Sequence, residues 1–443
     1  MAEFRSRNSE FGVERHFLFQ SLAAYNWLRT QTEFRLLNSA NVMIFRDKIF
    51  AQLTAKQAGF RNYNDDARHD AAEYADALQK LAALSSEQIQ QSVAHLPTPG
   101  ALPTNEFDTA PALGIRFPQE FYNHENARHW AAEALLHHTT CAADGSQILP
   151  VKEFSVPVAA VQVAWFINAH TRAGSYVKDA NFQVLAPDEL LIEYNGERTV
   201  SEGQVNLKRF ELEIHTLCRL MKQIAADPNQ MKNRPLALLD SSLVISFVDR
   251  LQPDQRLAYT NLVLELLRCS EETRVPLIGY VDTSYARDLT HLLENCFSLR
   301  ESDKIHDAQL VNDFLKWGDR TPLFVCARGS ADKKQQGVLE GFAEYRRGIG
   351  FTYLKTHSSL PPARLEIPLW IYEQGWLDEV LDLIRAEVIV GNGYPYVLET
   401  ADAAAVITAR DREAFYAIFQ QFAKDQQIDL RISQKAVSKF RRR

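Results

Sequence analysis

Apolar positions recur at helical spacing between residues 46 and 93. Asp70, Ala71, Ala72, Tyr74, Ala75, Ala77, Leu78, Leu81 and Leu84 trace one largely apolar stripe, which predicts helix there. The run Leu96-Pro97-Thr98-Pro99-Gly100-Ala101-Leu102-Pro103 breaks the pattern and reads as a linker. A further helix is expected at 124–137, carrying Trp130, Leu135 and Leu136. From residue 139 the texture changes, and short apolar runs alternate with amphipathic stretches. Strands are expected at 139–143, 156–167, 188–194, 235–240, 275–281, 322–327, 350–354 and 364–369. Helices are expected at 204–226, 255–270, 284–296, 307–316, 376–387 and 411–425. Such alternation predicts an α/β fold, a mixed sheet flanked by helices. The run Val156 to Ile167 is expected to pair with 188–194 as antiparallel hairpins of that sheet. Residues 1–45 mix aromatics and charges without clean caps and read as an appendage. Residues 46–138 read as an added N-terminal helical region with its linker, and 139–443 as the main domain.

Composition narrows the class. The chain has 443 residues, 46% of them hydrophobic and 24% charged, as expected for a globular enzyme with a substantial core. No apolar run reaches the roughly 18 residues of a transmembrane helix, and Met1 to Arg7 lacks the apolar core of a signal peptide. Five scattered cysteines form no Cys-x-x-Cys pair, which predicts a reducing, cytoplasmic setting. The net charge of −7 argues against a wholly basic nucleic-acid coat protein. A local basic groove beside an acidic metal site stays compatible with it. The chain ends Lys435-Ala436-Val437-Ser438-Lys439-Phe440-Arg441-Arg442-Arg443. Lys439, Arg441, Arg442 and Arg443 there are candidate phosphate contacts. His137 and His138 are adjacent on a helix, point to different sides and make a poor metal pair.

Several chemistries are missing. The sequence has no Gly-x-x-x-x-Gly-Lys-Ser/Thr loop, no Gly-x-Ser-x-Gly elbow and no His-Glu-x-x-His helix. Gly391-Asn392-Gly393 runs into Tyr394-Pro395, which makes a turn and not a dinucleotide cradle. Carboxylates are what is left. Asp144 ends the apolar run Cys141-Ala142-Ala143 and is followed by a Gly145-Ser146 turn. Asp240 ends Leu238-Leu239 and is followed by Ser241-Ser242. Strand ends are where α/β sheets gather carboxylates on a ligand. Helix 204–226 carries Glu211 and also Arg209 and Glu213, four apart on one face. That pair reads either as a surface ion pair or as Glu213 standing beside Asp144 and Asp240. Three carboxylates together repel unless a cation neutralises them, and oxygen-only ligands select Mg²⁺ or Mn²⁺. Two such ions about 4 Å apart would clamp a phosphodiester for hydrolysis. Asp402, three residues beyond Glu399 on a short helix after Pro395, is a further candidate ligand. Tyr394 and Tyr396 are candidates for a phosphate hydrogen bond or base stacking.

These stretches, from about Arg128 onward, resemble a NurA-domain nuclease. The matching pieces are Ala142 to Ile148, Arg209 to Glu213, Leu238 to Leu243, Gly318-Asp319-Arg320-Thr321, and Gly393 to Asp402, in the family's order. The resemblance implies an RNase H-like core and a Mn²⁺-dependent nuclease acting on DNA ends. It also implies 5′ to 3′ resection of duplex ends, digestion of single strands, a homodimer and a hexameric HerA-type ATPase partner. By the same resemblance, the family's first Asp falls at Asp144 and its second at Asp240. Its helical Glu falls at Glu213, with Glu211 as the fallback, and its C-terminal Tyr at Tyr394 or Tyr396. Three positions depart from the pattern. Ser241 stands where the family has Gly, and Asp402 stands where it has His. Asp282 stands where a basic residue often follows the strand resembling 275–281, with Arg287 one helical turn later as a substitute phosphate contact. The departures leave a second expectation open, an adaptor that keeps the fold and docks the ATPase without chemistry. A third is an RNase H-like enzyme acting on RNA.

Overall fold

A computed structural model describes residues 45–194, 196–329, 337–431 and 433. The candidate contacts Lys439, Arg441, Arg442 and Arg443 lie outside the described residues. Helices of eight residues or more are α1 (Arg46–Ala55), α2 (Gln57–Ala82), α3 (Ser86–Val93), α4 (His124–Leu135), α5 (Glu202–Ala225), α6 (Pro253–Thr273), α7 (Asp288–Phe297), α8 (Leu377–Val390), α9 (Tyr396–Ala405) and α10 (Ala409–Asp425). Strands are β1 (Gly100–Pro103), β2 (Thr140–Ile148), β3 (Ala159–Asn168), β4 (Tyr176–Leu185), β5 (Leu191–Tyr194), β6 (Glu197–Val200), β7 (Leu236–Leu239), β8 (Leu277–Val281), β9 (Phe324–Ala327), β10 (Ile349–Leu354) and β11 (Ala363–Pro368). The chain divides between Arg68 and His69, inside α2. The first unit holds α1 and the start of α2. No described helix is long and apolar enough to cross a membrane.

Nine strands form one sheet in the order β1-β9-β10-β11-β8-β7-β2-β3-β4, and β5 pairs with β6 apart from it. Strands β2, β7 and β8 run parallel, and β3 lies antiparallel between β2 and β4. The β4-β3-β2-β7-β8 half is the RNase H-like mixed sheet. It is an antiparallel meander whose first strand continues into parallel strands reached through helices. The other half is antiparallel throughout.

Two apolar layers clamp the sheet. One is built under α5, α6 and α7 with the ends of α2 and α3. The other is built under α4, α8 and α9. Strands β7 and β10 are buried along their whole length, as strands covered on both faces must be.

The structure corrects the sequence reading at three places. The expected linker 96–103 ends in strand β1, paired with β9 at the sheet's edge. An edge strand tolerates Pro103, and Gly100 adopts φ 96° where a Cβ would lie 2.5 Å from the Asp288 carbonyl oxygen. Second, the partner of β3 is β4 and not 188–194, whose strand β5 pairs with β6. Third, Asp144-Gly145-Ser146 is no turn. Strand β2 runs straight through it to Ile148, paired with β3 at every residue.

Candidate active site

Three parallel strands deliver three acids at one end of the sheet. Cys141 pairs with Ala237 and Ala142 with Leu238, so Asp144 stands two residues past the last β2–β7 pair. Asp240 follows the last residue of β7, and Asp282 follows the last residue of β8. Side chains alternate across a strand. Asp144 therefore shares a face with Ala142, Asp240 with Leu238 and Asp282 with Tyr280, all in the layer under α8 and α9.

From that same side come Tyr394 and Asp402. The Tyr394 hydroxyl donates to Asp240 Oδ1 at 2.5 Å, and its ring stands edge-on to Tyr280 at 5.3 Å. Asp402 stands close to Asp144 and raises its carboxyl. Its helix is fixed at both ends. Buried Glu387 accepts from the Val397 backbone N–H (3.0 Å) and from Thr140 Oγ1 on β2 (2.8 Å). Gln162 on β3 donates to the Ala405 carbonyl at 3.1 Å. Glu387 thus ties the strand of Asp144 to the helix of Asp402.

Glu213 arrives from the other face. Helix α5 buries Phe210, Ile214, Leu217, Met221 and Ile224 at helical spacing, and Glu213 falls inside that apolar stripe. An acid there must be compensated. Arg209 Nη1 donates to Glu213 Oε1 at 2.5 Å and to the Gly145 carbonyl at 3.4 Å. The side chain of β2 nearest to it belongs to Gly145, which has none; a Cβ at that position would lie 2.5 Å from Glu213 Oε1. Glu211, the fallback, pairs with Lys208 at 3.1 Å instead.

The electrostatics follow from this crowding. Burial pushes the Asp144 carboxyl up to about 6, with Asp402 and Asp240 adding to it against the Gly145 backbone hydrogen bond. Burial pushes Glu213 up to about 8, offset in part by Arg209 and reinforced by Asp144 and Asp240. Asp240 is also raised, first by desolvation and then by Asp402 and Asp282, against the Tyr394 hydrogen bond. As a residue Asp240 is exposed. Its carboxylate head group, however, is surrounded by Tyr394 and the neighbouring acids. The Tyr394 phenol is pushed far above its ordinary value, by burial and then by Asp240, so it stays a proton donor.

A carboxyl raised in the folded state binds a proton that the unfolded chain has released. Stability is therefore lost as pH rises from the unfolded value of 4.5 through about 8 for Glu213. Metal-free protein is expected to melt several degrees lower at pH 9 than at pH 5.5, and Glu213→Gln is expected to flatten that slope. A melting temperature of the variant that follows the parent's pH dependence unchanged would contradict this assignment.

Two other candidates have different surroundings. Arg287 pairs with Glu294 at 2.9 Å, and a phosphate contact would have to break that pair. The half-buried Tyr396 ring packs edge-on against Phe166 at 5.8 Å beside the apolar layer. Asp282, read from the sequence only as a lost basic residue, instead joins the acids around Asp240. Its position directly after a parallel strand was the available signal. Among the described residues no three His, Cys, Asp or Glu side chains already stand in ligating geometry. The acids are converged and still committed to Arg209, Tyr394 and one another.

A family model described as the NurA domain matches residues 138–407. Solved structures that resemble the chain include a NurA crystal structure with manganese, at 10% identity and TM-score 0.36, covering 64% of this chain and 89% of that one. A NurA structure bound to dAMP and manganese has 12% identity and TM-score 0.31, covering 61% and 85%. The catalytic domain of human Endonuclease V has 12% identity and TM-score 0.29, covering 72% and 93%. No curated protein sequence matches the chain significantly. The matched residues 138–407 span more than half of the chain and hold Asp144, Glu213, Asp240, Asp282, Tyr394 and Asp402, and the chain belongs to the NurA-domain family.

Proposed function

We propose that the chain is a divalent-metal-dependent deoxyribonuclease whose site is Asp144, Glu213, Asp240 and Asp402, oriented by Tyr394. The observation that carries this reading is the convergence of those acids, Asp144 and Asp240 past the last parallel pairs of β2 and β7 and Glu213 and Asp402 from helices, at the end of the sheet where α/β folds bind ligands. The residues fit a hard cation. The donor set is all oxygen, and three of its carboxyls are held above their ordinary values by burial and mutual repulsion. The crowding of Asp144 by Asp402 and Asp240 marks where positive charge is wanted. One or two bound cations, Mn²⁺ or Mg²⁺, would neutralise the phosphate and acidify the attacking water. The chain's own part is orientation. Tyr394 fixes the Asp240 carboxylate, Arg209 holds Glu213 against the sheet at Gly145, and Glu387 sets Asp402 against Asp144. Family membership extends the proposal to 5′ to 3′ resection of double-strand breaks, single-strand endonuclease activity, a homodimer and a HerA-type ATPase partner.

Matched single-stranded DNA and RNA, each with Mn²⁺, Mg²⁺ or chelator, test the core of this reading. The expected result is digestion of the DNA with Mn²⁺ and none with chelator, together with Mn²⁺ binding by calorimetric titration. No Mn²⁺ binding up to millimolar concentration and no digestion would leave the non-catalytic adaptor. Preferential digestion of the RNA strand would move the substrate class to RNA.

A further inference from the structure

The cavity at the acids extends beyond them. Its volume is about 420 Å³, and its walls include Asp144, Asp240 and Glu213 together with residues of α5, α6 and the turn after β7. That volume lies within the roughly 300–1,000 Å³ of sites that enclose a small organic ligand. The added walls are aromatic and amide. Phe247 stands edge-on to Tyr259 at 5.2 Å, and Tyr259 in turn packs on Phe210 at 5.2 Å. Tyr259 and Phe210 are buried, whereas Phe247 is 50% exposed. Asn206 and Gln255 line the same space. Gln147 donates to Asn206 Oδ1 at 2.6 Å, so the group Asn206 has left to offer is its Nδ2 donor.

Phe247 is held rather than loose. Its turn, Ser246–Arg250, is anchored through Ser246 Oγ, which accepts from Arg328 at 2.9 Å. Arg328 pairs with buried Asp288. Three residues earlier, buried Glu366 accepts from the Val244 backbone N–H at 2.9 Å and from Ser242 Oγ at 2.7 Å. Phe247 packs on Tyr259 along one edge and leaves half of its surface facing the acid-lined cavity. It suits a ligand with a flat apolar face and a polar edge.

We propose that this part of the cavity binds one unstacked nucleobase of the DNA strand whose phosphate lies at the acids, with Phe247 as the stacking platform and Asn206 and Gln255 facing the base edge. The inference rests on the nuclease reading above. Stacking is indifferent to which base is present, because every base has a π-face. The pocket therefore serves a nuclease of broad sequence tolerance. It also demands that the base leave its stack, which costs least in a single strand or a frayed end.

The test uses the Mn²⁺-loaded full chain, its Phe247→Ala and Phe247→Trp variants, and a 12-nucleotide oligothymidylate. A second set of strands carries one tetrahydrofuran abasic site at each position flanking the cut. Losing a base–aromatic stack costs about 1–3 kcal/mol, or about 5- to 150-fold. Phe247→Ala is expected to lower kcat/KM on the intact strand by that factor, and Phe247→Trp to retain it. At one abasic position the gap between the alanine variant and the parent is expected to close, because the base that would stack is gone. A gap of the same size on every strand, or no gap on any, overturns the base pocket and leaves the nuclease reading standing. A parent protein that digests none of the strands overturns both.

Discussion

Asp144→Asn is expected to lower Mn²⁺-dependent digestion of single-stranded DNA by about three orders of magnitude and, in the same molecule, to raise the melting temperature of the metal-free protein. The first effect follows from position. Asp144 is the acid that touches Asp402 and feels Asp240 and Glu213, so its loss opens the centre of the site. Metal-borne stabilisation of transition-state charge is worth several kcal/mol, and about 4 kcal/mol is three decades in rate. The second effect has the opposite sign because the carboxylate opposes folding when no cation is present. Its folded-state value is about 6 against 3.8 for the unfolded chain. At pH 8 it is ionised in both states, and the folded protein bears its desolvation, with the repulsion of Asp402 and Asp240 added. Discounted for partial solvation, that cost is about 1–2 kcal/mol, a shift of a few degrees. The asparagine amide can donate to Asp402, so no polar group is orphaned. Initial rates and metal-free thermal melts at pH 8 check both arms. More than a tenth of parental activity, or a lower melting temperature, would show that Asp144 is a structural acid.

Much of this site was legible because its acids obey strand logic. The apolar run ending at Asp240 announces a strand end, the one ending at Asp144 marks where β2 outruns its parallel pairing with β7, and Glu213 sits in an apolar stripe where an acid needs a reason. That stripe also separates Glu213 from Glu211, which falls on the solvated side and pairs with Lys208. Strand β4 was illegible for a physical reason. It closes the sheet as an edge, its side chains are exposed almost throughout, and Lys178, Asp179 and Asn181 interrupt any apolar alternation. What forms it is ten consecutive pairings with β3, a long-range fact. Strand β1 was hidden similarly, since the three prolines and the glycine of residues 96–103 suit an edge as well as a linker. Asp282 was visible as a residue and missed as a neighbour. Its proximity to Asp240 depends on the parallel pairing of β7 with β8, which no local pattern encodes.

Gly145→Ala is expected to cost about two orders of magnitude in metal-dependent digestion while leaving the fold intact. The dipeptide Asp144-Gly145 looks like turn chemistry, and in a turn the glycine would serve a positive φ. In β2 it serves space. Asp144 faces α9, so residue 145 faces α5, and there Glu213 lies flat against the strand. An added Cβ would lie 2.5 Å from Glu213 Oε1, 2.9 Å from Arg209 Cγ and 3.2 Å from Glu213 Cδ. Strand backbone paired on its β3 side at every residue cannot retreat, so the Glu213 head group must. Displacing one ligand by about 1 Å is enough for a loss near 10²-fold. A strand position accepts alanine without backbone strain, so circular dichroism and chromatographic behaviour should match the parent. The compensating change is Glu213→Asp, which withdraws the carboxylate by one methylene. The double variant Gly145→Ala/Glu213→Asp is expected to be more active than Gly145→Ala alone, while Glu213→Asp in the parent background is expected to lose activity. That reversal of sign is a coupling only neighbouring groups can show. Additive losses in the cycle, or full activity in Gly145→Ala, would mean that Glu213 does not meet its ligand across this glycine.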